Sequence, residues 1–91
     1  TYVLKPSERV PLTQAFIFDL IEKTGLPKGV MNLVNGGKEV VQALCTHPDV
    51  KGTSFVGSTP VAKYVYETSA AHGKRSQALG GAKNFMVVLP D

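Results

Sequence analysis

Tryptophan is absent from this chain and cysteine occurs once. A single cysteine excludes an internal disulfide, and with two distant histidines, His47 and His72, it offers no metal-ligand spacing. No apolar stretch approaches the roughly 20 residues of a membrane span, and no signal peptide is visible. Charge of either sign is sparse. Ten basic and seven acidic residues give +3, but the basic ones are scattered, with only Lys74 and Arg75 adjacent. No basic run is interleaved with aromatics, so nothing supports nucleic-acid binding. What remains is 91 residues, 43% hydrophobic and 19% charged, which is the make-up of one modest globular α/β piece. The chain opens without Met in a strand-like Tyr2-Val3-Leu4 and stops at Pro90-Asp91, just after another strand-like run. Both ends look cut, so a segment of something larger is expected.

The most informative stretch is Gly52 to Pro60, GTSFVGSTP. Thr53 to Val56 is a short β-branched and apolar run that suits a buried parallel strand. Gly57 lets the backbone turn sharply, and Ser58 or Thr59 can cap a helix whose first turn accepts Pro60. A strand turning through Gly-Ser into a helix start aims unpaired N–H groups and partial positive charge outward, which suits phosphate. Many such turns carry Gly and Ser for capping alone, and spacing does not separate the two readings.

Around that stretch, strands and helices alternate. Thr1 to Leu4 reads as a strand ended by Pro6. Leu12 to Thr24 reads as a helix with Pro11 in its first turn, an apolar face of Leu12, Phe16, Ile17, Leu20 and Ile21, and Gly25 as its stop. Val30 to Val34 is a second strand, closed by Asn35-Gly36-Gly37. Lys38 to Thr46 is a shorter helix with Val40, Val41, Leu44 and Cys45 inward. Pro60 to Ala71 is a third helix with Val61, Tyr64, Val65 and Thr68 on one side and Gly73 as its stop. Ser76 to Leu79 is extended, Gly80-Gly81-Ala82 turns, and Phe85 to Leu89 reads as a final buried strand. This order implies right-handed crossovers and a Rossmann-like, three-layer α/β architecture: a parallel sheet with helices on both faces. Ligands of such sheets sit beyond the carboxyl ends of the strands. The polar turns at Lys5 to Glu8, Asn35 to Gly37, Gly57-Ser58 and Gly80-Gly81 all fall on that edge.

Chemistry-bearing residues are few. In Lys5 to Arg9, KPSER, an ammonium and a carboxylate lie three residues apart at a strand end. Such a pair can donate to one ribose hydroxyl and accept from its neighbour, or simply form a solvated ion pair before the helix. The usual G-x-G-x-x-G fingerprint is missing. Gly80-Gly81 can let the backbone approach a flat ring closely, or merely reverse the chain. Cys45 reads as a packed core thiol, His47 as a helix-end residue and His72 as solvated. No catalytic set and no metal set emerge. On residue chemistry alone the chain binds something and catalyses nothing.

Taken together, KPSER after a strand, GLPKGVMNLVNG after a helix, SFVGS running into a helix and GGAKN before an apolar run resemble the cofactor-binding part of the aldehyde dehydrogenase superfamily. KPSER, HPDVKGTSFVGS, HGKRSQ and GAKN look most like its methylmalonate-semialdehyde dehydrogenase branch, and the resemblance covers essentially all 91 residues in order. It implies that residues 1–91 are a segment of the NAD-binding domain, with the catalytic and oligomerisation domains absent. It further implies that Lys5 and Glu8 bind the adenosine ribose with Arg9 beside them, that Gly57 and Ser58 hold the pyrophosphate, and that Leu79 and Gly80 lie beside the nicotinamide.

Enzymes similar to this chain attack a small aldehyde with a cysteine thiolate, pass hydride to NAD, and release the thioester to water or to coenzyme A. The nucleophile and an oxyanion-binding asparagine belong to parts not in this chain, so the segment alone is expected to be inactive. Most of the superfamily has a general-base glutamate where this sequence has Leu79, which suits the coenzyme A-acylating branch. Phe85 stands where that branch often has histidine, and Ala62 replaces a common glycine. The parent is expected to be a homo-oligomer, dimer or tetramer, in the cytoplasm or the mitochondrial matrix. Two other readings stay open: another NAD(P)-dependent aldehyde dehydrogenase, and a noncatalytic nucleotide-binding or protein-interaction module.

Overall fold

Proline and glycine punctuate the chain, and the elements fall between them. The computed structural model describes residues 1–81 and 86–90. In chain order its elements are β1 (Tyr2–Leu4), α1 (Pro11–Glu22), β2 (Met31–Leu33), α2 (Lys38–Thr46), β3 (Gly52–Gly57), α3 (Thr59–Ala71) and β4 (Arg75–Gly80). Two compact units result, Thr1–Val41 and Gln42–Asp91, with α2 running across the division. The parallel sheet expected from the alternation is present as two parallel pairs, β1 with β2 and β3 with β4. Each pair is joined by one helical crossover, as parallel neighbours require.

In the first unit, β1 and β2 pair from Tyr2↔Met31 to Leu4↔Leu33. The ladder continues past both ends, because Tyr2 N–H donates to the Val30 carbonyl at 2.8 Å and Val34 N–H to the Leu4 carbonyl at 2.9 Å. The expected strand Val30 to Val34 is therefore realised in its hydrogen bonds. Pro11 occupies the first turn of α1, where its missing N–H costs nothing. The helix stops at Glu22, two residues before the expected Thr24. Thr24 turns both its N–H and its hydroxyl onto the Ile21 carbonyl, at 3.0 and 2.7 Å, and so closes the last turn. The apolar face of α1 forms as expected but is uncovered, with Leu12 82% and Phe16 63% exposed and no buried residue on the helix.

In the second unit, β3 and β4 pair from Gly52↔Arg75 to Gly57↔Gly80. Thr53 is expected to start a fully buried strand, but burial along β3 alternates and Val56 is 59% exposed. One face of the pair meets α3. Thr53 Oγ1 lies 3.0 Å from Ser69 Oγ on α3 and 3.0 Å from Ser76 Oγ on β4, a hydroxyl chain that fixes helix to both strands. By the pleat, Phe55, Gly57, Ala78 and Gly80 share that face, whereas Ser54, Val56, Gln77 and Leu79 lie on the other. The buried stripe of α3 is Ala62, Val65 and Ser69. Val61, expected inward, is 41% exposed, because the fully buried Ser69 is held by Thr53 and turns the helix one position round.

Helix α3 ends as the sequence anticipates. Gly73 takes a φ of 67°, its N–H bonds the Ala70 carbonyl, and Lys74 N–H bonds the Ser69 carbonyl. These two bonds make a Schellman stop. Lys74 then does something sequence patterning does not reveal: its ammonium donates to the carbonyls of His47 and Val50, the latter at 2.6 Å, and so closes the α2–β3 loop. Lys74→Met is expected to destabilise the fold by about 2 kcal/mol, read as a lower thermal midpoint. Lys51, whose exposed ammonium reaches only the Pro48 carbonyl among the described residues, provides the control. Lys51→Met is expected to stay within about 0.5 kcal/mol of the parent.

The last expected strand is corrected. Phe85 and Ala82 lie outside the described residues, and Met86 to Leu89 have no regular structure and are 88, 84, 81 and 70% exposed. An apolar run becomes a strand only beside a partner strand, and none of the described strands pairs with it.

Candidate functional site

The residues singled out by the sequence occupy the carboxyl ends of β1, β3 and β4. In the first unit, Pro6 breaks β1 and is buried, and Ser7 starts a turn in which Val10 N–H donates to its carbonyl at 3.1 Å. That turn brings Lys5 and Glu8 together, with Nζ to Oε2 at 3.1 Å. Lys5 Nζ also donates to the Pro6 carbonyl at 2.8 Å, which leaves one of its three protons for a ligand. The lysine side chain is only 12% exposed and the glutamate 63%, so a held ammonium stands beside a carboxylate that reaches into solvent. Arg9 lies next along the turn, its N–H 3.3 Å from Ser7 Oγ.

Glu8 is held below its ordinary pKa, first by a hydrogen bond from its own backbone, then by the Lys5 ammonium as donor and as charge, with a smaller contribution from Arg9. Because the folded value is depressed, the pair's contribution is present above the usual carboxylate range and is lost as pH falls through the folded value. An NMR titration of the Glu8 carboxyl is expected to show a midpoint below that of an isolated glutamate. Lys5→Met should move it back up; an unchanged midpoint would mean that Lys5 does not hold the carboxylate.

In the second unit, Gly57 closes β3 and Ser58 takes the N-cap position of α3 with φ −68° and ψ 148°. Ser58 caps by position only, since its hydroxyl makes no capping hydrogen bond and is left for another acceptor or donor. The first intrahelical bond runs from Ala62 N–H to the Ser58 carbonyl at 2.9 Å. The N–H groups of Thr59 and Val61 precede it and have no partner within the helix, and Pro60 has none to offer. Gly57 has a use besides the sharp turn expected of it. A Cβ there would lie 2.6 Å from Phe55 Cζ, so the missing side chain is the space the Phe55 ring fills.

The two turns of this unit are tied together. Gly57 and Gly80 are register partners, and Gly81 N–H donates to the Gly57 carbonyl at 3.0 Å, carrying the ladder one step past both strands. Leu79 sits beside Val56 on the face away from α3, half-buried. A side chain at position 79 therefore has an apolar neighbour and no polar one across the strand. Cys45 is 2% exposed and lies in α2. Among the described residues no group of His, Cys, Asp and Glu has the makings of a metal site, and no helix is long and apolar enough to cross a membrane. Taken separately, the strand end of the first unit offers groups that can bind hydroxyls, and the strand end and helix start of the second offer groups that can bind phosphate, each of a kind that suits part of a nucleotide.

Comparison with known proteins agrees with the resemblance. Residues 1–91 match the aldehyde dehydrogenase family. The chain is 60% identical over all 91 residues to malonate-semialdehyde dehydrogenase 1 of Oceanobacillus iheyensis and 63% identical to malonate-semialdehyde dehydrogenase 2 of Shouchella clausii, spanning 19% of each. Among solved structures, methylmalonate-semialdehyde dehydrogenase from Oceanimonas doudoroffii superposes with a TM-score of 0.86 at 61% identity, over 90% of this chain and 17% of that one. An NAD complex from Sinorhizobium meliloti, assigned to methylmalonate-semialdehyde dehydrogenase, gives 0.85 at 54% identity, over 98% and 18%. The α/β fold with parallel strands is that of these enzymes, in part. Spanning about a fifth of the length of its curated relatives, the chain belongs to the aldehyde dehydrogenase family.

Proposed function

We propose that this chain is part of the NAD-binding domain of a coenzyme A-acylating malonate- or methylmalonate-semialdehyde dehydrogenase. The observation that carries the reading is the pair of strand ends at Gly57-Ser58 and Leu79-Gly80, joined by the Gly81 to Gly57 hydrogen bond next to the open first turn of α3. Ser58 and the α3 N–H groups bind the pyrophosphate, where the helix start favours negative charge. Lys5 donates to one adenosine ribose hydroxyl and Glu8 accepts from the other, with Arg9 alongside. The backbone at Leu79-Gly80 lies against the nicotinamide. Bound there, NAD would supply the acceptor for hydride from an aldehyde carbon to which a cysteine thiolate outside this chain had added. The acyl group would then pass from that cysteine to the thiol of coenzyme A, freeing the cysteine thiolate.

The chain's own contribution is to bind and orient the cofactor and, through Leu79, to leave water unactivated at the thioester. A single cysteine, buried and without a disulfide partner, fits a reducing compartment, and we place the enzyme in the cytoplasm as a homo-oligomer. The test is a titration of a full-length enzyme carrying this chain with NADH, followed by nicotinamide fluorescence. Binding is expected, and Ser58→Ala should weaken it about tenfold, as loss of a hydrogen bond to a charged phosphate implies. No binding by the parent would overturn the reading.

A further inference from the structure

Gly80 lies against the start of α3 more closely than a side chain ordinarily packs. A Cβ built on it would stand 3.0 Å from Thr59 Cα, 3.0 Å from Thr59 Oγ1 and 3.3 Å from Thr59 Cβ. Two of these atoms can move only with the helix. At its other end α3 is fixed by the buried Ser69 hydroxyl on Thr53, which in turn meets Ser76. The helix is thus clamped to the β3–β4 pair at both ends, with its first residue pressed on the last residue of β4. A methyl group at position 80 has to push the α3 start away from the β4 end by a few tenths of an ångström, because close-packed interiors leave no slack to absorb it.

We infer that Thr59 and the bare Cα of Gly80 form a spacer that sets the distance between the phosphate-binding turn and the nicotinamide-side turn, making Thr59 a positioning residue for the dinucleotide. The inference rests on the proposed NAD site and deepens it. Its consequence depends on ligand length. A ligand that touches both turns feels the spacing, and one that ends at the pyrophosphate side does not. NADH spans both turns, whereas ADP-ribose lacks the nicotinamide ring.

Dissociation constants for NADH and ADP-ribose, measured on a full-length enzyme carrying this chain, separate the possibilities. Gly80→Ala is expected to weaken NADH about tenfold, in line with the cost of small misplacements at oriented sites, and ADP-ribose less than about twofold. Adding Thr59→Gly to Gly80→Ala removes Oγ1 and Cβ from the contact and should recover part of the NADH loss. If Gly80→Ala does not fold, Thr59→Gly alone serves: it loosens the spacer without a clash and should weaken NADH about threefold more than it weakens ADP-ribose. Equal losses for the two ligands, or no loss for either, would overturn the spacer. Failure of the unsubstituted enzyme to bind either ligand would instead overturn the site on which it rests.

Discussion

Leu79→Glu, made in a full-length enzyme carrying this chain, is expected to raise aldehyde oxidation in the absence of coenzyme A by about a hundredfold or more, the usual scale of a positioned general base. Leu79 is half-buried beside Val56, on the strand face away from α3. A carboxylate there is partly desolvated and has no cross-strand cation, so its pKa rises toward the range useful for taking a proton from water. On the proposed reading, the thioester would wait for an external thiol as long as leucine is in place. The measurement is NADH production with and without coenzyme A, for both proteins. A variant that binds NAD as before yet remains wholly dependent on coenzyme A would show that Leu79 does not decide the acceptor.

The second large effect concerns the ribose pair. Lys5→Ala is expected to weaken NADH by about 30-fold, since it removes a charged donor and leaves the Glu8 carboxylate without its partner. Glu8→Gln should act differently. The carboxylate repels a 2′-phosphate, so the unsubstituted enzyme should favour NADH over NADPH, and the glutamine variant should narrow that preference about tenfold while keeping an acceptor for the hydroxyl. Tighter binding of NADPH by the unsubstituted enzyme would contradict the assignment of Glu8. So would unchanged affinity in both variants.

Much of the fold could be read from residues that punctuate. Pro11 and Pro60 mark helix starts, Gly73 marks a stop, and Lys38 to Thr46 forms a helix over its expected bounds. The ion pair of Lys5 and Glu8 was legible because a proline-broken strand end followed by a turn places residues three apart side by side. What was illegible depends on neighbours that no local pattern encodes. Ser69 is fully buried although serine reads as polar, because its hydroxyl finds Thr53 sixteen residues away. Lys74 reads as a surface charge, yet its ammonium answers carbonyls in a loop more than twenty residues earlier. The apolar run Phe85 to Leu89 reads as a buried strand, and its described residues, Met86 to Leu89, stay exposed where the described strands pair with none of them. At the site itself, Gly80 reads as part of a flexible turn and proves to be the last residue of β4, packed on Thr59.

A crystal structure of a full-length enzyme carrying this chain, with NAD bound, tests the central claim most directly. The account requires Lys5 Nζ and a Glu8 oxygen within hydrogen-bonding distance of the two adenosine ribose hydroxyls, and Ser58 Oγ on a pyrophosphate oxygen. A cofactor seated elsewhere, with Lys5 and Glu8 still paired only to each other and Ser58 facing solvent, would contradict it.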